Sequence, residues 1–174
     1  AKFEAALKKS YNVEGIIIED KGTTNLYPKW SPDGSKIVFI SNKDNDYFGQ
    51  TDLFIYDLKD STSKKIISGA RYAPAWVNDS VLIFSMRGLP DKNGSRFFDL
   101  YQITVTDLED NYFDNNKDQL VKLTSGSRLR SPSYNQDKNL IAAISTTDGQ
   151  SNIFISEFNV ENQRVIDQSN VQWR

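Results

Sequence analysis

The side chains with most to offer a partner are arginines and aromatic residues set close together. They are Arg71 with Tyr72, Arg87, Arg96 with Phe97, and Arg128 with Arg130, joined by Tyr47 in the polar stretch 42–51. Arginine supplies a rigid fork of donors and an aromatic ring supplies large contact area, the combination that protein-binding surfaces favour. The plainer alternative is that these residues only pack on neighbouring segments and face solvent. Bond-making chemistry has less to work with. The chain contains no His and no Cys, so the commonest general base, the commonest transition-metal ligand and any thiol nucleophile are missing. A Ser-His-Asp or Cys-His arrangement cannot be assembled from these residues. No pair of Asp or Glu stands out as sharing a pocket. The expectation is no catalytic residue, no metal site and no cofactor.

Two acidic patterns bear on cation binding. Asp114-Asn115-Asn116-Lys117-Asp118 has the alternating oxygen donors that open a calcium loop. Gln119 and Ser125 stand where that loop needs its glycine and closing carboxylate, which favours a solvated turn. Asp52, Asp99 and Asn152 recur at one position, each just before a strand-like run. They read either as a ring of carboxylates near a ligand or as a repeated side-chain-to-backbone hydrogen bond that fixes a loop. Recurrence in every copy favours the latter.

The elements that must position these residues are repeats. Pro28-Lys29-Trp30-Ser31-Pro32-Asp33-Gly34, Pro74-Ala75-Trp76-Val77-Asn78-Asp79 and Pro132-Ser133-Tyr134-Asn135-Gln136-Asp137 each place an aromatic two residues after a proline, then a polar turn. An apolar run and a closing Ser follow: Ile37 to Ser41, Val81 to Ser85, and Leu140 to Ser145. Later come Asp52-Leu53-Phe54-Ile55-Tyr56, Asp99-Leu100-Tyr101-Gln102-Ile103 and Asn152-Ile153-Phe154-Ile155-Ser156. Each unit reads as four short strands joined by turns, with Pro fixing φ and Gly supplying a positive φ. The prolines lie 46 and then 58 residues apart, near the roughly 40–50 residues of a four-stranded propeller blade. The extra length falls mostly in the polar stretch from Asp107 to Gln119.

Composition agrees. Aromatic residues make up 12% of the chain, with ten Phe, eight Tyr and three Trp, which suits half-buried strands. The net charge of −2 gives no basic field for phosphates or anionic lipid, so nucleic acid is not an expected partner. No apolar run approaches the roughly 18 residues of a membrane span, so membrane insertion is not expected. Ala1-Lys2-Phe3-Glu4 does not read as a signal peptide.

The Trp-Ser-Pro-Asp-Gly stretch from Trp30 to Gly34, with Ile37, Phe39 and Ser41, resembles the WD40-like repeat of TolB-type β-propellers. Asp52-Leu53-Phe54-Ile55-Tyr56-Asp57 and the Leu123-Thr124 ending fit the same repeat. The resemblance runs over about residues 16–174, close in the first copy and looser in the next two. It implies an all-β fold of four-stranded antiparallel blades. Blades are expected at about 26–68, 72–124 and 130–167, with a next one starting at 171–174. Ile16-Ile17-Ile18 reads as the last strand of a preceding blade, and Phe3, Ala6 and Leu7 as a short helical connector within 1–15. About three blades do not close a ring of the usual kind, so the segment is expected to belong to a ring of roughly six to eight, completed by further sequence or another chain. Trp30, Trp76, Tyr134 and Trp173 form an aromatic series expected to pack between blades.

In such a blade, the loop before the first strand and the loop between the second and third share one face. That face would gather Arg71, Tyr72, Arg87, Arg96, Phe97, Arg128, Arg130 and Tyr47. The resemblance implies a non-catalytic scaffold that binds a protein or peptide in the bacterial envelope, periplasmic or secreted. The alternative is an accessory propeller beside a peptidase or other hydrolase domain.

Overall fold

In the computed structural model, residues 15–105 and 120–158 are described, and every regular element among them is a β-strand. The expected connector at Phe3, Ala6 and Leu7, the calcium-like Asp114 to Asp118, and the next-blade start at Val171 to Trp173 lie outside the described residues. None of the described residues forms a helix long and apolar enough to cross a membrane.

Among the described residues, eleven strands form three antiparallel sheets. The first holds β1 (Asn25–Trp30), β2 (Lys36–Ser41), β3 (Asp52–Asp57) and β4 (Thr62–Ser68), side by side in chain order. The second repeats that order with β5 (Ala70–Asn78), β6 (Val81–Arg87), β7 (Phe98–Thr104) and β8 (Leu120–Lys122). The third contains β9 (Leu129–Asn135), β10 (Leu140–Thr147) and β11 (Gln150–Glu157). Three up-and-down sheets of this kind, stacked in sequence, are blades of a β-propeller.

Strand periodicity builds the stack. Along β2 and β3, Val38, Ile40, Leu53 and Ile55 point toward the second blade, where they meet Trp76, Leu82, Phe84, Tyr101 and Ile103 in one buried cluster. The intervening Phe39, Phe54 and Tyr56 point the other way and pack with Ile18 and Ile37. On β6 and β7, Val81, Ile83 and Leu100 turn toward Leu129, Ile141, Ala143 and Phe154 of the third blade. Alternation thus loads both faces of each middle strand with apolar side chains, and the blades stack by burying them.

The turn after β1 forms as its residues require. Gly34, at φ 73°, donates its N–H to Ser31 O at 2.9 Å. Asp33 accepts hydrogen bonds from Ser31 Oγ at 2.6 Å, Ser35 N–H at 3.0 Å and Ser35 Oγ at 2.7 Å. Those donors hold the exposed carboxyl down at about 2.

Two expectations are corrected. Ile16 to Ile18 is not a strand; Ile16 is 79% exposed and Ile18 packs on the Phe39, Phe54 and Tyr56 cluster. β-propensity makes a strand only where a neighbour completes the hydrogen-bond ladder, and none of the described strands lies beside these residues. Instead the segment is tied down at Glu19, which accepts from Lys43 Nζ and from Ser63 Oγ. Trp30 is 59% exposed, whereas Trp76 at the equivalent position is buried and donates from Nε1 to Lys29 O at 3.1 Å. Each such ring packs on the blade before its own. Trp30 meets no such blade among the described residues.

Candidate functional site: an arginine face at the loop end of the blades

The end of the stack carrying the β2–β3 and β6–β7 loops is held by two buried aspartates. Asp52 accepts at Oδ2 from Asn45 Nδ2 and Lys65 Nζ, both at 3.1 Å, and at Oδ1 from Gly69 N–H at 3.0 Å. One repeat later, Asp99 accepts at Oδ2 from Lys122 Nζ at 3.2 Å. Its Oδ1 accepts from Ser127 N–H at 3.0 Å, Ser127 Oγ at 3.1 Å and Thr124 Oγ1 at 3.3 Å. Each carboxylate stitches the start of a third strand to the corner that leads into the next blade. These are loop-fixing residues, with their charge met by Lys65 and Lys122. Asn152, the third copy, is exposed and makes no such bond among the described residues.

The β6–β7 loop is closed by Asp91, whose Oδ1 accepts from the N–H groups of Asn93 and Ser95, each at 2.8 Å. Gly88 N–H bonds Phe97 O at 3.1 Å, which seats Arg96 and Phe97 beside the strand ends. The inner strands add a recurring distortion. β1, β5 and β9 each carry a bulge, and Tyr27, Tyr72 and Ser131 sit there at φ of 58°, 68° and 51°. A bulge re-aims a side chain, and a left-handed tyrosine is costly to hold. Tyr72 is turned by it into the aromatic contacts of this face.

Those contacts form a ladder. The Arg87 guanidinium lies 5.1 Å from the Phe98 ring centre. Phe98 meets Tyr72 edge to face, with centres 5.0 Å apart and planes at 72°. Tyr72 in turn carries Arg130 at 5.5 Å. Arg130 donates to Thr146 Oγ1 and, at 3.3 Å, to Ser151 Oγ. Alongside, Arg128 stacks on Phe97 at 4.3 Å. A pocket of about 370 Å³ opens between the first and second blades, lined by Arg71, Arg87 and Arg96 together with Gln50, Thr51 and Phe98.

The structure therefore brings Arg71, Arg87 and Arg96 to one pocket and Tyr72 and Arg130 to the adjoining ladder, with Arg128 and Phe97 as a flanking pair. Tyr47 is 74% exposed on the loop whose Gly49 and Gln50 line the pocket, without lining it itself. Phe98 is the residue that sequence reasoning passed over. It occupies the same repeat position as Thr51 and Ser151, immediately before Asp99, Asp52 and Asn152. All three touch this face, so that repeat position was the available signal. Chemically the arrangement can bind; among the described residues no group of three or more Asp or Glu is placed to hold a metal ion.

A second concavity, of about 510 Å³, lies where the proline-aromatic motifs of the inner strands converge, at Trp30, Pro74, Trp76, Pro132 and Tyr134. It is walled by the motif residues that build the stack.

No protein-family model matches the chain, and no curated protein matches it. Solved structures do. TolB from Acinetobacter baumannii superposes with a TM-score of 0.55 at 22% identity, over 79% of this chain and 30% of that one. The β-propeller domain of the Trilobed protease from Pyrococcus furiosus gives 0.54 at 14% identity, over 82% and 41%. Oligogalacturonate lyase from Vibrio parahaemolyticus gives 0.53 at 13% identity, over 87% and 41%. The chain thus spans less than half the length of each of these structures. At such identities the likeness speaks to fold alone, and the fold is that of a β-propeller segment.

Proposed function

We propose that this chain is a non-catalytic propeller module that binds a protein or peptide on its loop face, in a bacterial envelope or periplasmic setting. The observation that carries the reading is the ladder from Arg87 through Phe98 and Tyr72 to Arg130. Rigid aromatic anchors interleaved with guanidinium groups on a fixed scaffold are what interface hot spots are made of. The bulge at Tyr72 supports it by aiming that ring into the ladder, where it meets Phe98. The envelope setting follows the likeness to TolB.

The test is selection of peptides on the intact protein, followed by hydrogen-exchange mapping of where they protect. Protection of loops 42–51 and 88–97, with Tyr72→Ala and Arg130→Ala each weakening binding by about ten-fold or more, is the expected result. Protection confined to other surfaces overturns the reading. The likeness to a protease's propeller domain favours one alternative, an accessory propeller beside a hydrolase domain. Hydrolysis of the selected peptides by the intact protein would establish that reading in its place.

A further inference from the structure

All five arginines among the described residues, Arg71, Arg87, Arg96, Arg128 and Arg130, stand on the one loop face. Lysines of the same residues are spread widely, with Lys59 and Lys138 at the opposite, turn end of the blades. That segregation by side-chain type is informative, because guanidinium and ammonium groups differ in what they recognise. The planar fork of Arg matches a carboxylate with two parallel hydrogen bonds, where Lys offers a point charge.

Among the described residues no carboxylate lies within ion-pair distance of Arg71, Arg87 or Arg96, and none of the three donates a hydrogen bond to a described residue. The two acidic groups beneath the face, Asp52 and Asp99, are buried and committed to Lys65 and Lys122. Among the described residues, three cations therefore line one pocket of about 370 Å³ with no carboxylate within ion-pair distance of any of them. Converging like charges of this kind repel one another, and an anionic ligand relieves the repulsion.

Resting on the reading of this face as a peptide-binding surface, we infer that its ligand is an acidic peptide segment. A carboxylate of that segment enters between Arg71, Arg87 and Arg96, while the neighbouring residues lie along Phe98 and Tyr72. A peptide is favoured over nucleic acid because the net charge of the chain is −2, so no extended basic field exists to follow a phosphate backbone. The pocket is also bordered by a ring pair in edge-to-face contact, which suits side-chain packing.

The experiment measures binding of fluorescein-labelled hexaglutamate to the intact protein by anisotropy, with hexaglutamine as the uncharged control. Hexaglutamate should bind at least about ten-fold more tightly, a difference of about 1.4 kcal/mol. Arg71→Ala and Arg96→Ala, both at exposed positions and checked for intact folding by circular dichroism, should each weaken it several-fold. Arg71→Lys should restore only part of the loss, since the charge returns without the fork. Lys59→Ala combined with Lys138→Ala, which removes two positive charges from the far end where each arginine variant removes one, should leave binding unchanged. Equal binding of the two peptides, or equal loss in the lysine double variant, overturns the inference. So does displacement of hexaglutamate by inorganic phosphate or an oligogalacturonate at lower concentration than by unlabelled hexaglutamate, which would identify a phosphate or acidic-sugar site. If neutral peptides protect the same loops independently of Arg71 and Arg96, the acidic ligand fails while the binding face stands. If no peptide protects that face, both fail.

Discussion

Asp79 Oδ1 accepts a hydrogen bond of 2.8 Å from the backbone N–H of Asp33. The two residues hold the same place in successive repeats, 46 positions apart. The turn of one blade is thus capped by the turn of the next, alongside the Trp76 Nε1 bond to Lys29 O. Asp79→Ala removes the acceptor and should cost about 0.5–1.5 kcal/mol in denaturant unfolding. Asp79→Asn keeps an acceptor oxygen and should lose less. Equal losses would mean that the charge, not the hydrogen bond, carries the effect.

Asp33 titrates far below an ordinary carboxyl. The Ser31 hydroxyl contributes most, followed by the Ser35 N–H and hydroxyl, and together they hold the group at about 2. Because the folded value lies below the ordinary 3.8, the contribution to stability is fully present above that ordinary value. It is lost as pH falls through about 2. An NMR titration of Asp33 should give a midpoint near that value, and Ser31→Ala should move it upward. A midpoint unmoved in Ser31→Ala would remove the hydroxyl as the cause.

Asp52 and Asp99 give a paired prediction. Asp52→Ala leaves the Gly69 N–H without its side-chain acceptor and removes the ion pair to Lys65, and Asp99→Ala does the same to the Ser127 N–H and the ion pair to Lys122. Each substitution should destabilise by roughly 2–4 kcal/mol, because both carboxylates are buried while their lysines are partly solvated. Asn152→Ala, at the matching exposed position, should change stability by less than about 0.5 kcal/mol. A large loss at Asn152 would contradict the arrangement of the third blade.

Gly22→Ala tests how the segment before β1 is fastened. Gly22 sits at φ 77°, and a Cβ there would approach Asn42 Oδ1 to 2.8 Å and Lys43 N to 2.9 Å. Asn42 Oδ1 already accepts from the N–H groups of Thr23 and Thr24, each at 3.0 Å. The added methyl must push backbone away from backbone, at an expected cost of about 2 kcal/mol or more in thermal or denaturant unfolding. An unchanged midpoint would show that residues 19–24 are not anchored as described.

Much of the fold was legible because strand patterning and turn chemistry repeat. Val38, Ile40, Leu53 and Ile55 alternate with Phe39, Phe54 and Tyr56, and a period of two reads directly as a sheet buried on both faces. The loop-fixing role of Asp52 and Asp99 could be inferred from recurrence alone. The gathering of the arginines on one face followed from blade topology. What patterning could not reveal was the pairing of Arg87 with Phe98 and of Arg130 with Tyr72. It depends on a bulge that turns Tyr72 into a left-handed conformation, and no local propensity announces that. Ile16 to Ile18 misled for a related reason: three β-branched residues favour extension, but a strand also needs a neighbour. Trp30 misled because its burial depends on a blade stacked against it.

The scattered hydrogen bonds between blades bear on how such a chain would respond to force. Within each blade, adjacent strands share long runs of backbone hydrogen bonds, as along β10 and β11 from Leu140 to Thr147. Between blades, the direct polar links among the described residues are scattered contacts such as Asp33 N–H to Asp79, Trp76 to Lys29, Thr51 Oγ1 to Ala70 O, and Ser131 N–H to Ser85 Oγ, over an apolar interface. Apolar contact resists slow separation but is short in reach, giving way once surfaces part by about the width of a water molecule. Under tension, whole blades would come away one at a time while their sheets stayed intact, giving the chain a stepwise extensibility with a unit of one repeat.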